Sequence, residues 1–307
     1  MNRIAASILS IWCALNASAQ EFGTHWISYP EPDSTSQIWF RQTYLASERP
    51  AQASITVTST GYFELFVNEY NVSTDVLIPY RKETADNPIS ITYDVTRFLR
   101  HDSNTIAVWY APSYPHINTR QVAISYYGRT KSGGFFSCNS DKNWICHKAH
   151  ISLTNDGNEL MDGEIYPLKW NANNIDYACW LSADEVVNTK SGPIKELLSF
   201  YPSQKVIKIH QPTTFEIEGD SILYDFGTTF SGWIRVTLRG TRSREIIHIG
   251  RLEYVCNGTT DEQGYSKFTT TEYRRLIICG DEHFKPEQVQ KVEGIEIANS
   301  NHHSYRY

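Results

Sequence analysis

The chain has 307 residues and a formal net charge of −6, enough length for one large or two ordinary domains and no basic footprint for nucleic acid. Charged residues make up 20% and aromatics 13%, with 19 Tyr and 8 Trp against 2 Met. That charge-poor, aromatic-rich balance suits a secreted β-rich protein, because aromatic and β-branched side chains pack well on pleated surfaces.

The N-terminus reads as a signal peptide over residues 1–19. Arg3 precedes an apolar run from Ile4 to Leu15, and Ala17-Ser18-Ala19 stands before Gln20. The run is too short to span a bilayer, and no later stretch approaches about 18 apolar residues. Cys13 lacks the small residues that follow a lipoprotein cysteine, so the expected product is exported, periplasmic or secreted. Five cysteines then remain, at 138, 146, 179, 256 and 279, and an odd number leaves at least one free or paired between chains. Cys138 and Cys146 bracket a turn at Asn139 to Asn143. They either bridge a hairpin or serve as small buried hydrophobes. No Cys-x-x-Cys or His/Cys spacing supports a zinc site.

Residues 20–37, with Pro30, Pro32 and a Ser/Thr cluster, read as loop. Short strands follow at Ile38 to Tyr44, Ala53 to Val57, Phe63 to Val67, Ile89 to Tyr93, Thr105 to Tyr110 and Val122 to Tyr126. Several alternate cleanly between turn residues, the pattern of an all-β sandwich. A short helix is expected at Asp94 to Arg100 with Asp94 as its N-cap. Ser191-Gly192-Pro193, Tyr201-Pro202 and Gln211-Pro212 mark a linker over 188–212, with a short helix at Lys195 to Leu198. Beyond it, strands are expected at Ile246 to Arg251, Phe268 to Ile278 and Val292 to Ile297. The segment Ile222 to Gly240 is the most informative. Ile234, Val236 and Leu238 alternate with Arg235, Thr237 and Arg239, so a half-buried strand follows a turn made by Asp225, Gly227 and Gly232. Its Asp-Phe-Gly triplet is not a kinase Mg²⁺ site, since no Gly-rich phosphate loop or His-Arg-Asp segment accompanies it.

Tyr224-Asp225-Phe226-Gly227, Phe230 and Gly232-Trp233-Ile234-Arg235 resemble a signature of the β-sandwich that precedes the catalytic domain of bacterial α-L-rhamnosidases. Thr228 and Thr229 depart from the Gln-Asn common there. His303-Ser304-Tyr305-Arg306-Tyr307 resembles a later strand of the same family. "GYFELFVN" (61–68), "ITYDVTRFL" (91–99), "NTIAVWY" (104–110), "SDKNW" (140–144) and "DGEIY" (162–166) look like its N-terminal accessory domain, although Pro167-Leu168 stand where Asp-Ala is usual. The resemblance implies an all-β chain of two antiparallel sandwiches, jelly-roll or concanavalin-like. One covers residues 20–205 and the other 206–307, the second ending within a strand and so exposing an unpaired edge. A reading frame cut short would produce such an end. In the family the acid and base lie in a helical (α/α)₆ barrel after the second sandwich. The resemblance therefore carries no catalytic residue onto this chain.

Glycoside hydrolysis needs two carboxylates flanking one bond. Glu64, Glu164, Asp225 and Glu253 are the candidates, and turn caps or solvated strand faces account for them equally well. There is no Gly-x-Ser-x-Gly nucleophile motif. His302 and His303 are adjacent on a strand, where side chains point to opposite faces, so they do not share a metal easily. Aromatics are the better clue, because a sugar ring stacks its C–H face on Trp or Tyr while Asn, Asp or Arg bond its hydroxyls. Trp109, Tyr110, Tyr114 and Asn118 in one loop, and Trp170 with Asn171, Asn173 and Asn174 in another, are the candidate carbohydrate-binding residues. The competing reading has these aromatics plugging a core or domain junction. Calcium assists some sugar modules that the family's accessory domains resemble, but no residue here maps to a ligand position. The expected role is accessory: binding a rhamnose-containing oligosaccharide or plant glycan, or packing against a separately encoded catalytic domain. A glycosidase with a carboxylate pair in the sandwich cleft and a non-sugar adhesive module are the alternatives.

Overall fold

The computed structural model describes residues 25–31, 33–78, 89–113, 120–165, 169–175, 178–187, 195–196 and 203–299. The first part of the chain contributes β1 (Trp26–Ser28), β2 (Ser36–Leu45), β3 (Gln52–Ser59), β4 (Tyr62–Val67), β5 (Tyr70–Asn71), β6 (Ile89–Asp94) and β7 (Ser103–Ala111). It continues with β8 (Gln121–Arg129), β9 (Phe135–Asn139), β10 (Ile145–Leu153), β11 (Glu159–Asp162), β12 (Leu181–Ser182), β13 (Asp184–Val186) and β14 (Lys195–Glu196). The second part adds β15 (Gln204–His210), β16 (Thr214–Glu218), β17 (Ser221–Leu238) and β18 (Ile246–Ile249). It ends with β19 (Leu252–Val255), β20 (Glu262–Tyr265), β21 (Thr271–Gly280) and β22 (Val289–Asn299).

Among the described residues these strands form two sheets. One has seven strands in the order β13-β1-β8-β3-β6-β14, with β9 also on β8. The other has fifteen and runs through both parts of the chain, β15-β22-β17-β21-β18-β19-β11-β10-β2-β7-β4-β5, with β12, β16 and β20 as side pairings. The two sandwiches thus share one sheet. Their junction is a parallel pair in a mostly antiparallel fold, Glu159 to Asp162 of β11 against Leu252 to Val255 of β19.

The central strands of the first part carry apolar residues on both faces, which is why their sequences read as nearly unbroken hydrophobic runs. On β7, Ile106, Val108 and Tyr110 enter the core shared with the seven-stranded sheet. Ala107, Trp109 and Ala111 face the opposite way, into the core shared with the second part. β2 does the same with Ile38 and Phe40 against Trp39. The all-β expectation is met, in two sandwiches joined edge to edge.

β17 departs from its expected form. It is one strand of 18 residues, not a turn feeding a strand. The turn residues make an irregularity inside the ladder, between Asp225 and Phe230. Gly227 sits there at φ 72°, a left-handed conformation that only glycine adopts without cost, and the Asp225 carboxylate accepts its N–H at 2.7 Å. Gly232 has a different reason: a Cβ there would stand 1.9 Å from the Ile295 carbonyl oxygen of the neighbouring β22.

Two expected helices are corrected. At Asp94 to Arg100 there is one 3₁₀ turn, Thr96–Phe98, and the Asp94 carboxylate accepts the Thr96 N–H at 2.9 Å. At Lys195 to Leu198, Lys195 and Glu196 pair in parallel with Ile89 and Ser90. The linker expected over 188–212 includes β15, which pairs with β22. The signal-peptide segment and residues 300–307 lie outside the described residues. All five cysteines are free. Cys138 on β9 and Cys146 on β10 belong to different sheets, so the hairpin bridge does not form.

Candidate functional site

At the junction of the two sandwiches lies an aromatic cluster. Trp39 and Trp170 stack at 5.2 Å and 9°, and Trp109 stands edge-on to both, at 6.1 and 6.2 Å. Phe268 from the second part closes on Trp109 at 5.7 Å. Of the residues proposed from sequence for sugar stacking, Trp109 is 6% exposed, Tyr110 1% and Trp170 7%. They are wall and core, not platform. The Trp170 loop is held down by the buried Arg41, whose guanidinium donates to the backbone carbonyls of Trp170 and Ala172. Asn173 donates to the Ser103 hydroxyl at 3.0 Å. Asn171 is half-buried and Asn174 exposed, while Tyr114 and Asn118 lie outside the described residues. Aromatic content is legible in the residues but facing direction is not, because both faces of β7 are covered.

His150 of β10 is packed against this cluster, 5.7 Å from Trp39 and 5.4 Å from Trp109. Burial, and then the Lys267 ammonium, push its pKa down to about 4, so the imidazole is neutral at ordinary pH. Its Nε2 meets the Tyr265 hydroxyl at 3.2 Å. Its Nδ1 is buried with no hydrogen-bond partner among the described residues. Lys267 itself pairs with Glu64 at 2.8 Å and lies over the Trp109 ring.

Above His150 and Tyr265 opens a cleft of about 430 Å³, bounded by the turn after β11 and the loop from β19 to β20. Such a volume suits a small ligand, as typical pockets run from roughly 300 to 1,000 Å³. The loop is built around Glu262, whose carboxylate accepts from the Thr241 hydroxyl, the Tyr254 hydroxyl at 2.7 Å and the Asn257 N–H at 2.7 Å. Burial and that bond to Glu262 push the Tyr254 phenol far up. The facing turn is Asp162 to Ile165, the described residues of the "DGEIY" segment. Gly163 is required there, since a Cβ would stand 2.6 Å from the Tyr254 hydroxyl, and the Asn257 amide donates to the Gly163 carbonyl at 3.1 Å. Sequence reasoning singled out that motif without its purpose, which is to join the two sandwiches and form one rim of the cleft.

Three carboxylates proposed for hydrolysis are tied to separate cations. Glu64 pairs with Lys267, Asp225 with Arg275 at 3.1 Å, and Glu164 with Arg244 at 3.3 Å. The Gly227 N–H and then Arg275 hold Asp225 below the usual carboxylate range. The Ser243 hydroxyl and then Arg244 do the same for Glu164. Glu253 lies on β19, opposite His248 of β18. Asp281, Glu282 and His283 bring ligand atoms within 4.8 Å of one another. Asp281 already accepts the N–H groups of Ile246 and His283, so this group has an evident structural role.

Residues 48–210 match the alpha-L-rhamnosidase N-terminal domain family, over half of the chain. The chain belongs to that family. Two curated alpha-L-rhamnosidases of Formosa agariphila are similar to it, one 21% identical over 85% of this chain and 32% of its own length, the other 29% identical over 46% and 17%. The chain therefore spans about a third or less of the relatives it matches. Among solved structures, the alpha-L-rhamnosidase from Dictyoglumus thermophilum superposes with a TM-score of 0.78 at 20% identity, covering 90% of this chain and 36% of that one. The Streptomyces avermitilis alpha-L-rhamnosidase complexed with L-rhamnose gives 0.76 at 18% identity, covering 88% and 29%. At these identities the likeness establishes the fold, and it extends through both sandwiches.

Proposed function

We propose that this rhamnosidase N-terminal-family chain is a non-catalytic accessory part of rhamnoside degradation, acting outside the cytoplasm on a rhamnose-containing glycan. The observation that carries this reading is the fate of the carboxylates. Glu64, Glu164 and Asp225 each neutralise a different cation on a different element, whereas an inverting or retaining pair must face each other across one bond, about 5–9.5 Å apart. The signal-peptide pattern supports export, and among the described residues no helix is long and apolar enough to cross a membrane. A glycan array probed with the purified chain tests the reading. Retention confined to rhamnose-bearing glycans is the expected result, and uniform blank spots would leave only an assembly role.

A second reading, packing against a catalytic domain, is favoured by exposed apolar side chains on two strands of the second part. Val206 and Ile209 on β15, which pairs with β22, and Phe215 and Ile217 on β16, which pairs with β17, are 46–62% exposed. Isolated apolar residues on a surface are ordinary, but a grouping of them marks a contact site more often.

A further inference from the structure

We propose that the cleft at the sandwich junction is the saccharide site, that it takes a neutral sugar, and that the Tyr265 hydroxyl backed by His150 is the group that reads the sugar's hydroxyls. This rests on the accessory, glycan-binding reading above and gives it a location.

The charge of the cleft comes first. Its two carboxylates are already occupied, Asp261 by Arg239 at 2.6 Å and Glu262 by its three donors. Among the described residues Lys169 is the one lining residue that carries a positive charge, and it stands in the same cleft as these two acids. With Arg239 counted, positive and negative charges around the described lining are equal in number, Lys169 and Arg239 against Asp261 and Glu262. What the rim offers is amide and hydroxyl groups, from Asn257, Thr259, Thr260 and Gln263, over a floor that includes Met161 and Tyr254. Polar groups that both donate and accept, around an apolar floor, suit a ring with hydroxyls on its edge and C–H bonds on its face.

His150 supplies the second argument. It is 2% exposed, set against two indoles, with one ring nitrogen unpartnered among the described residues. A buried polar atom left unpaired is destabilising, and phenylalanine would fill the same space without that cost. The imidazole's other ring nitrogen meets the hydroxyl of Tyr265, a residue that lines the cleft. A neutral imidazole accepts or donates at Nε2 according to its tautomer. A phenolic oxygen bonded to an imidazole nitrogen keeps acceptor capacity for a ligand hydroxyl, and a sugar supplies such donors around its ring.

Calorimetric titration of the full chain with methyl α-L-rhamnopyranoside, alongside the methyl glycosides of glucose and galactose, tests the assignment. Thr260→Trp plugs the cleft from an exposed rim position and should abolish binding. Tyr265→Phe keeps the ring, removes the hydroxyl and should weaken binding about 3- to 10-fold, the worth of one hydrogen bond. Saturation should also shift the His150 ring resonances in ¹H–¹⁵N spectra of the wild-type protein. If both folded variants bind as wild type and the His150 resonances stay put, the sugar sits elsewhere, and the site assignment is wrong while the accessory reading stands. If the wild-type chain binds none of the glycosides, the assignment falls and the glycan-binding reading falls with it.

Discussion

Single residues carry much of the junction. Buried Arg41 fixes the Trp170 loop through two backbone carbonyls, and removing it leaves both acceptors without their donor. Arg41→Met should cost about 2–4 kcal/mol in urea unfolding and loosen the loop that borders the cleft. Two titrating groups shape the acid response. His150 has its pKa lowered to about 4, so below about pH 6.5 the unfolded chain takes up a proton the fold refuses, and stability falls between about pH 6.5 and 4. His150→Phe should flatten that window. For Asp33, burial works against the charged form, but Lys148 at 2.8 Å and the Ser36 and Thr35 groups outweigh it and hold the carboxyl below its usual range. Its contribution is present above about pH 4 and is lost as pH falls further. Asp33→Asn should remove that lower step, as denaturant midpoints measured across pH would reveal.

At the scale of elements, the strands of the first part were legible because alternation and turn residues are local signals. Ile38 to Tyr44 and Thr105 to Tyr110 fall within β2 and β7. What local pattern does not hold is partnership. Trp109 heads a loop-like run in sequence, yet it is buried by Trp170 and Phe268, which lie far along the chain. For the same reason Gly227 and Gly232 read as one turn, although one answers to a positive φ and the other to contact with β22. Gly232→Ala should therefore cost about 3 kcal/mol or prevent folding, because the obstacle is backbone and cannot move aside. At β16, Phe215 and Ile217 are exposed on a strand whose described partner is β17 alone. Phe215→Lys with Ile217→Lys should reduce concentration-dependent association in sedimentation experiments while leaving the unfolding midpoint nearly unchanged.

For the molecule as a whole, the parallel β11–β19 pair and the shared aromatic core tie the two sandwiches into one body. A boundary near residue 205 is visible in composition but does not separate two independent cores. Glu159, fully buried on β11, accepts the N–H groups of Lys267 and Phe268, so the first part holds a loop of the second. This junction builds the cleft, whereas three of the four acids suggested for hydrolysis are dispersed among separate ion pairs. The proposed accessory role rests on that division between holding a glycan and cutting it. Incubating the purified chain with an aryl α-L-rhamnoside and following aglycone release is the most direct test. Release at the uncatalysed rate is the predicted result, and turnover that disappears on a single Glu→Gln change would contradict it.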